Sequence, residues 1–217
     1  MKISVVIFTL LIVTSTLKAQ DIRFSFLANP ELTWFSGSGN DYEANGNFIG
    51  LNTGIELDFF FAENYAFSTG LTINTMKGGV IFSDSMQYDV NDESLTLLPG
   101  SRLVYTLQHV SVPLGLKFKS IEIGFSTYWI NTGITPMVLI KSRVTDEQEI
   151  FNQSGFKDHT NLLNLNYFVE GGLEYSLGGN TALIAGLGYY SGFTDITKSD
   201  TNKLTMRGFA LTLGMLF

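Results

Sequence analysis

Seven charged residues fall on the small, polar side of short alternating stretches: Arg23, Glu56, Asp58, Lys117, Glu122, Glu170 and Glu174. If those sides enclose one interior, the seven meet there as a single layer. Two bases cannot neutralise five acids, so such a layer would hold a protonated carboxylate, bind a cation, or pair internally as a polar plug. In a narrow bore the plug is the expected outcome, because side chains alone can fill the space.

A second constellation is Ser154 with Asp158 and His159, set in a long polar stretch. A Ser/His/acid group at a membrane surface could hydrolyse or transfer lipid acyl chains. No Gly-x-Ser-x-Gly elbow surrounds the serine, and loops collect such residues without catalysis, so the chain reads as a non-enzyme. His109, the other histidine, stands alone on its stretch and reads as packed or hydrogen-bonded rather than metal-ligating. The acids Asp84, Asp89, Asp92, Glu93, Asp146, Glu147 and Glu149 lie in loops without calcium-loop spacing. They read as solvated, with weak divalent bridging to lipopolysaccharide as a lesser role. There is no cysteine, hence no thiolate metal site, and no phosphate-cradling glycine loop, so neither a cofactor nor a metal is expected.

The elements that would position these residues follow a period of two. Ile22, Phe24 and Phe26 oppose Arg23, Ser25 and Asn29; Ile49, Leu51, Ile55 and Leu57 oppose Gly50, Asn52, Gly54, Glu56 and Asp58. Phe67, Leu71 and Ile73 oppose Ser68, Gly70, Thr72 and Asn74, and Val110, Val112, Leu114, Leu116 and Phe118 oppose Ser111, Gly115 and Lys117. Ile121, Ile123, Phe125 and Trp129 are read against Glu122, Gly124, Ser126 and Tyr128. Three more stretches, around 163–176, 183–190 and 208–217, complete a count of eight strands. Pro113 cannot donate to a ladder, which predicts a bulge there.

Composition decides which face points out. A water-facing surface would be rich in Lys, Glu and Arg, but the polar face is mostly Gly, Ser, Thr and Asn, and charged residues are only 15% of the chain, against roughly 25% in soluble domains. The apolar face therefore meets lipid and the small-residue face is enclosed. The turns near 61–64, 119–120 and 177–180 are short, whereas 36–47, 78–101, 131–161 and 194–203 are longer and more polar. That alternation predicts short periplasmic turns and long outer loops. Phe59, Tyr65, Phe118, Tyr175 and Phe217 would form one aromatic girdle, and Trp34, Trp129, Tyr189 and Phe193 the other. The fold class is all-β: an eight-stranded antiparallel up-and-down transmembrane β-barrel. Three readings stay open beside it: a narrow channel for small solutes, an outer-leaflet lipid-modifying enzyme, and a soluble periplasmic lipocalin-like barrel with the faces inverted.

The first residues, with Lys2, the apolar run Ile3–Val13 and the end Leu17-Lys18-Ala19, have the layout of a secretory signal cleaved after Ala19, which leaves 20–217 as the barrel domain. No later run of 18 apolar residues could cross a bilayer as a helix. Loss of Lys2 and Lys18 takes the net charge from −7 to −9, which argues against nucleic acid as a partner.

Three segments carry a family resemblance: His109 to Phe118 (HVSVPLGLKF), Gly188 to Ile196 (GYYSGFTDI) and Leu211 to Phe217 (LTLGMLF). In these the chain resembles the porin-like outer-membrane β-barrel family common in Bacteroidota, the PorT-like group. The resemblance implies a monomer exported to the Gram-negative outer membrane, in contact with its lipid and lipopolysaccharide. It also implies insertion by a barrel-assembly machine that reads the terminal Phe217. The expected role is structural, adhesive or ligand-binding through the outer loops.

Overall fold

A computed structural model describes residues 21–37, 42–83, 86–90, 93–97, 99–146, 152–154, 160–196 and 203–217, with backbone only at 42, 86–90, 93–97, 146 and 152–154. Eight long strands make the wall. These are β1 (Ile22–Ser36), β2 (Phe48–Ala62), β3 (Tyr65–Phe82), β4 (Arg102–Ser111 continuing as Leu114–Lys119), β5 (Ser126–Asp146), β6 (Leu163–Gly178), β7 (Thr181–Gly192) and β8 (Thr205–Leu216). Each pairs antiparallel with its chain neighbours, and β8 pairs with β1, so the ring closes. Closure leaves no wall edge unpaired, as hydrocarbon requires. Successive Cα partners followed once round from Arg23 return to Thr33, ten residues further along the same strand. This stagger tilts the strands and sets the width of the bore.

The alternation places the faces as composition requires. Phe26, Leu32, Leu51, Leu71, Ile73, Leu116, Val169, Leu187 and Phe209 are exposed on the outside. Ser25, Asn29, Ser68, Thr72, Asn74, Ser111, Asn131, Asn164 and Thr212 are buried inside. A water-soluble barrel has the opposite arrangement, so the inverted reading is set aside. Aromatic contacts gather at both ends: Phe24 with Phe217, Tyr65 with Phe118 and Phe125 with Tyr175 at the short-turn end, and Trp34 and Tyr189 with Phe209 at the other.

Three expectations are corrected. First, Ile121 to Phe125 is not strand. Residues 120–125 form a turn closed by the Ile123 to Ser126 bridge, and all of 121–125 are exposed. A turn of that length breaks the parity: Tyr128 and Ile130 face out, and Trp129, 4% exposed, faces in near the short-turn end. Trp129 therefore belongs to neither girdle. Second, Pro113 carries no bulge. Ser111 and Leu114 keep one register with β3, on Thr72 and Thr69, and one with β5, on Met137 and Ile134. The ladder merely skips a donor. A bulge does lie opposite Gln108 and His109, where β5 inserts Ile140 between partners Leu139 and Lys141.

Third, β3 and β5 run well into the stretches read as loops at 78–101 and 131–161, and β4 begins at Arg102, ahead of the alternation read from Val110. Their tips enclose an apolar core in which Phe35, Met76, Val80, Phe82, Leu103, Leu107, Met137, Val144, Leu204 and Met206 pack together. The enclosed face therefore carries its ion pairs in the short-turn half and its larger apolar cluster toward the long loops. A 21-residue β5 also exceeds the roughly 10 residues a tilted strand needs to span hydrocarbon, so these tips stand beyond the membrane.

Candidate functional site

The charged interior is built by strand residues two apart. Lys117 and Lys119 of β4 both point inward, and so do Glu56 and Asp58 of β2 and Glu170 and Glu174 of β6. The Lys117 ammonium donates to Glu56 Oε1 at 2.5 Å and Asp58 Oδ2 at 2.8 Å and lies 5.4 Å from the Trp129 ring centre. The Lys119 ammonium donates to Glu174 Oε2 and sits 5.4 Å from the Phe60 ring. Buried ions are tolerable only in such close, multiply bonded geometry.

Of the seven residues expected in one layer, the structure brings together Glu56, Asp58, Lys117 and Glu174, with Glu170 one step further in. Arg23 and Glu122 stand one step further out, where they line a single pocket at the mouth together with Glu174. Arg23 is second in β1, at the barrel mouth, where its partly exposed guanidinium pairs with Asp21 at 3.3 Å and covers Phe60 at 5.2 Å. Glu122 sits exposed in the 120–125 turn. Sequence reasoning missed Lys119 by treating it as the start of a turn, although its spacing from Lys117 puts both on one face. It also missed Glu31, a buried carboxylate in a strand already read correctly.

Deeper in, Glu170 accepts from Asn131 Nδ2 at 3.0 Å and Thr212 Oγ1 at 3.3 Å, and Glu31 accepts from Tyr190 at 2.9 Å. Three of the carboxylates stand opposite glycine across a ladder: Glu31 faces Gly50, Glu56 faces Gly70 and Glu170 faces Gly188. The missing side chains leave room for carboxylates in a bore only just wide enough for filling. Glu31, Glu56 and Glu170 border a cavity of about 90 Å³ that lies between the ion pairs and the apolar core. His109, 2% exposed, makes a 3.3 Å contact through Nε2 with the Asn164 amide among Leu107, Met76 and Met206. Among the described residues no group of three or more His, Cys, Asp or Glu could hold a metal ion. Asp84, Asp92, Glu147, Glu149, Asp158 and His159 lie outside the described residues, as do the side chains of Asp89, Glu93, Asp146 and Ser154 and the 1–19 segment.

Among solved structures, Neisserial surface protein A is similar over 92% of this chain and 98% of its own at 11% identity and a TM-score of 0.49. Ail, the attachment invasion locus protein of Yersinia pestis, solved with the heparin analogue sucrose octasulfate, is similar over 92% and 100% at 14% identity and a TM-score of 0.40. OprG from Pseudomonas aeruginosa is similar over 90% and 94% at 12% identity and a TM-score of 0.43. Among curated proteins no relative matches. A family model described as outer membrane protein beta-barrel domain matches residues 10–198. A closed ring with an apolar outer face, short turns at one end and a polar floor is what such a domain needs, and the chain belongs to the outer membrane protein β-barrel domain family.

Proposed function

We propose that this outer-membrane barrel is a closed, non-conducting and non-enzymatic monomer that serves through its long loops, in a structural, adhesive or ligand-binding role. One observation carries the reading: the bore is filled twice. At the short-turn end Lys117, Lys119 and their carboxylates span it, and at the long-loop end the Phe35, Met76, Leu107, Met137 and Met206 cluster packs it. Among the described residues both fillings stand in the way of an aqueous path, which supports a role for the loop end.

In this reading residues 1–19 are a cleaved export signal, the short turns face the periplasm, and the membership is the PorT-like group of Bacteroidota. The lipid and lipopolysaccharide of the outer membrane surround the wall. The assembly machinery engages Phe217, whose N–H donates to the Phe24 carbonyl at 2.9 Å where the ring closes. Planar-bilayer recording of the refolded mature chain tests the filled bore. The expected trace is flat, and stepwise single-channel currents would replace this reading with the narrow channel.

A further inference from the structure

The cavity between the ion-paired floor and the apolar core has an imbalance that its neighbours leave uncorrected. Among the described residues five carboxylates point inward, Glu31, Glu56, Asp58, Glu170 and Glu174, against two ammonium groups, Lys117 and Lys119. The lysines are committed to Glu56, Asp58 and Glu174. Glu31 and Glu170 both border the cavity, and their hydrogen-bond donors are neutral: a tyrosine hydroxyl, an asparagine amide and a threonine hydroxyl.

A second, independent feature points the same way. Asn52 and Asn74 both border the cavity, and their side-chain carbonyl oxygens lack a partner. Asn74 is 5% exposed, so its oxygen cannot turn to bulk water. The cavity thus offers acceptors and negative charge on one side, while Met76, Met137 and Phe168 supply apolar and polarizable wall. No group of three or more His, Cys, Asp or Glu is placed to hold a metal ion among the described residues. A primary ammonium, with three divergent N–H donors and a carbon tail, suits acceptors spread round a wall better than a metal ion does. About 90 Å³ admits a tail of a few heavy atoms.

We propose that this mid-barrel cavity binds a small primary alkylammonium ion. Its charge lies between Glu31 and Glu170, its N–H groups on the Asn52 and Asn74 oxygens, and its alkyl tail against Met76, Met137 and Phe168. The site does not depend on how the loops act or on whether the barrel conducts.

The test refolds the mature chain in detergent with the chloride of ethylammonium, tetramethylammonium, Na⁺ or Ca²⁺ present from the start at matched ionic strength, and follows thermal unfolding by circular dichroism. Ethylammonium is expected to raise Tm saturably, and tetramethylammonium, which has no N–H, is not. In Glu31→Gln and Glu170→Gln, which keep shape and remove charge, half-saturation shifts at least tenfold upward. In Met137→Phe, which narrows the cavity without touching a charge, the response is lost. An equal or larger response to Ca²⁺, Na⁺ or tetramethylammonium overturns the proposal. So does no response of the wild-type chain to ethylammonium, or an unshifted response in both glutamine variants. The wild-type comparison decides the matter alone should a variant fail to fold.

Discussion

Lys117 is the residue on which the floor depends. Its ammonium holds two buried carboxylates, and replacing it by methionine leaves both charged with no cation beside them. Lys117→Met is expected to lower stability by about 3–5 kcal/mol, the usual cost of breaking a buried pair from one side. Adding Glu56→Gln and Asp58→Asn to that variant should recover most of the loss, since removing all partners removes the uncompensated charge as well. Urea unfolding in lipid vesicles measures both. Glu122→Ala, by contrast, is expected to leave the unfolding midpoint where it is, because Glu122 sits exposed in the 120–125 turn.

At the scale of the strand, what could be read from sequence was the outer face. Lipid imposes one requirement along the whole wall, so apolar residues such as Leu71, Ile73, Leu116 and Val169 recur on the outer parity, with Thr69, Thr132 and Gly171 among the breaks. The inner face obeys no single rule. It is charged at Lys117, amide-rich at Asn74, and apolar at Val80 and Leu103, and where the inner face turns apolar the two-residue contrast disappears. That is why the tips of β3 and β5 resembled loops. The 120–125 turn deceived in the opposite sense, since Ile121, Ile123 and Phe125 alternate like a strand yet lie exposed in a turn. The period of Tyr128, Ile130, Thr132 and Ile134 contradicts that parity and held the correct answer. Of the charged layer, the members on β2, β4 and β6 were legible because their strands were. Arg23 was not, because alternation gives a face and not a height in a staggered ring.

Two strand-level outcomes follow. Pro113→Ala restores a ladder donor within an unbroken register, so stability should change by less than about 1 kcal/mol and the cross-strand pairs at Ser111 and Leu114 should persist by amide exchange. Gly208→Ala places a methyl 2.3 Å from the Tyr190 hydroxyl, which donates to Glu31. It is expected to cost about 1–3 kcal/mol as overpacking, readable as a lower urea midpoint.

For the molecule as a whole, β1 and β8 form the closing seam, where Phe24 and Phe217 exchange backbone hydrogen bonds and stack 5.5 Å apart. Almost the entire chain separates these two partners. Every shorter intermediate is therefore a curled sheet with two raw borders of unpaired amides, each able to join another chain. Deleting residues 205–217 should accordingly yield no heat-resistant monomer on a folding gel, only aggregate, rather than a barrel of reduced stability. Synthesis from the N-terminus delivers the first border long before its mate exists, and contacts so distant in sequence form slowly. Something must shelter β1 during that interval, so the time between export and arrival of Phe217 is when the chain is most exposed to loss.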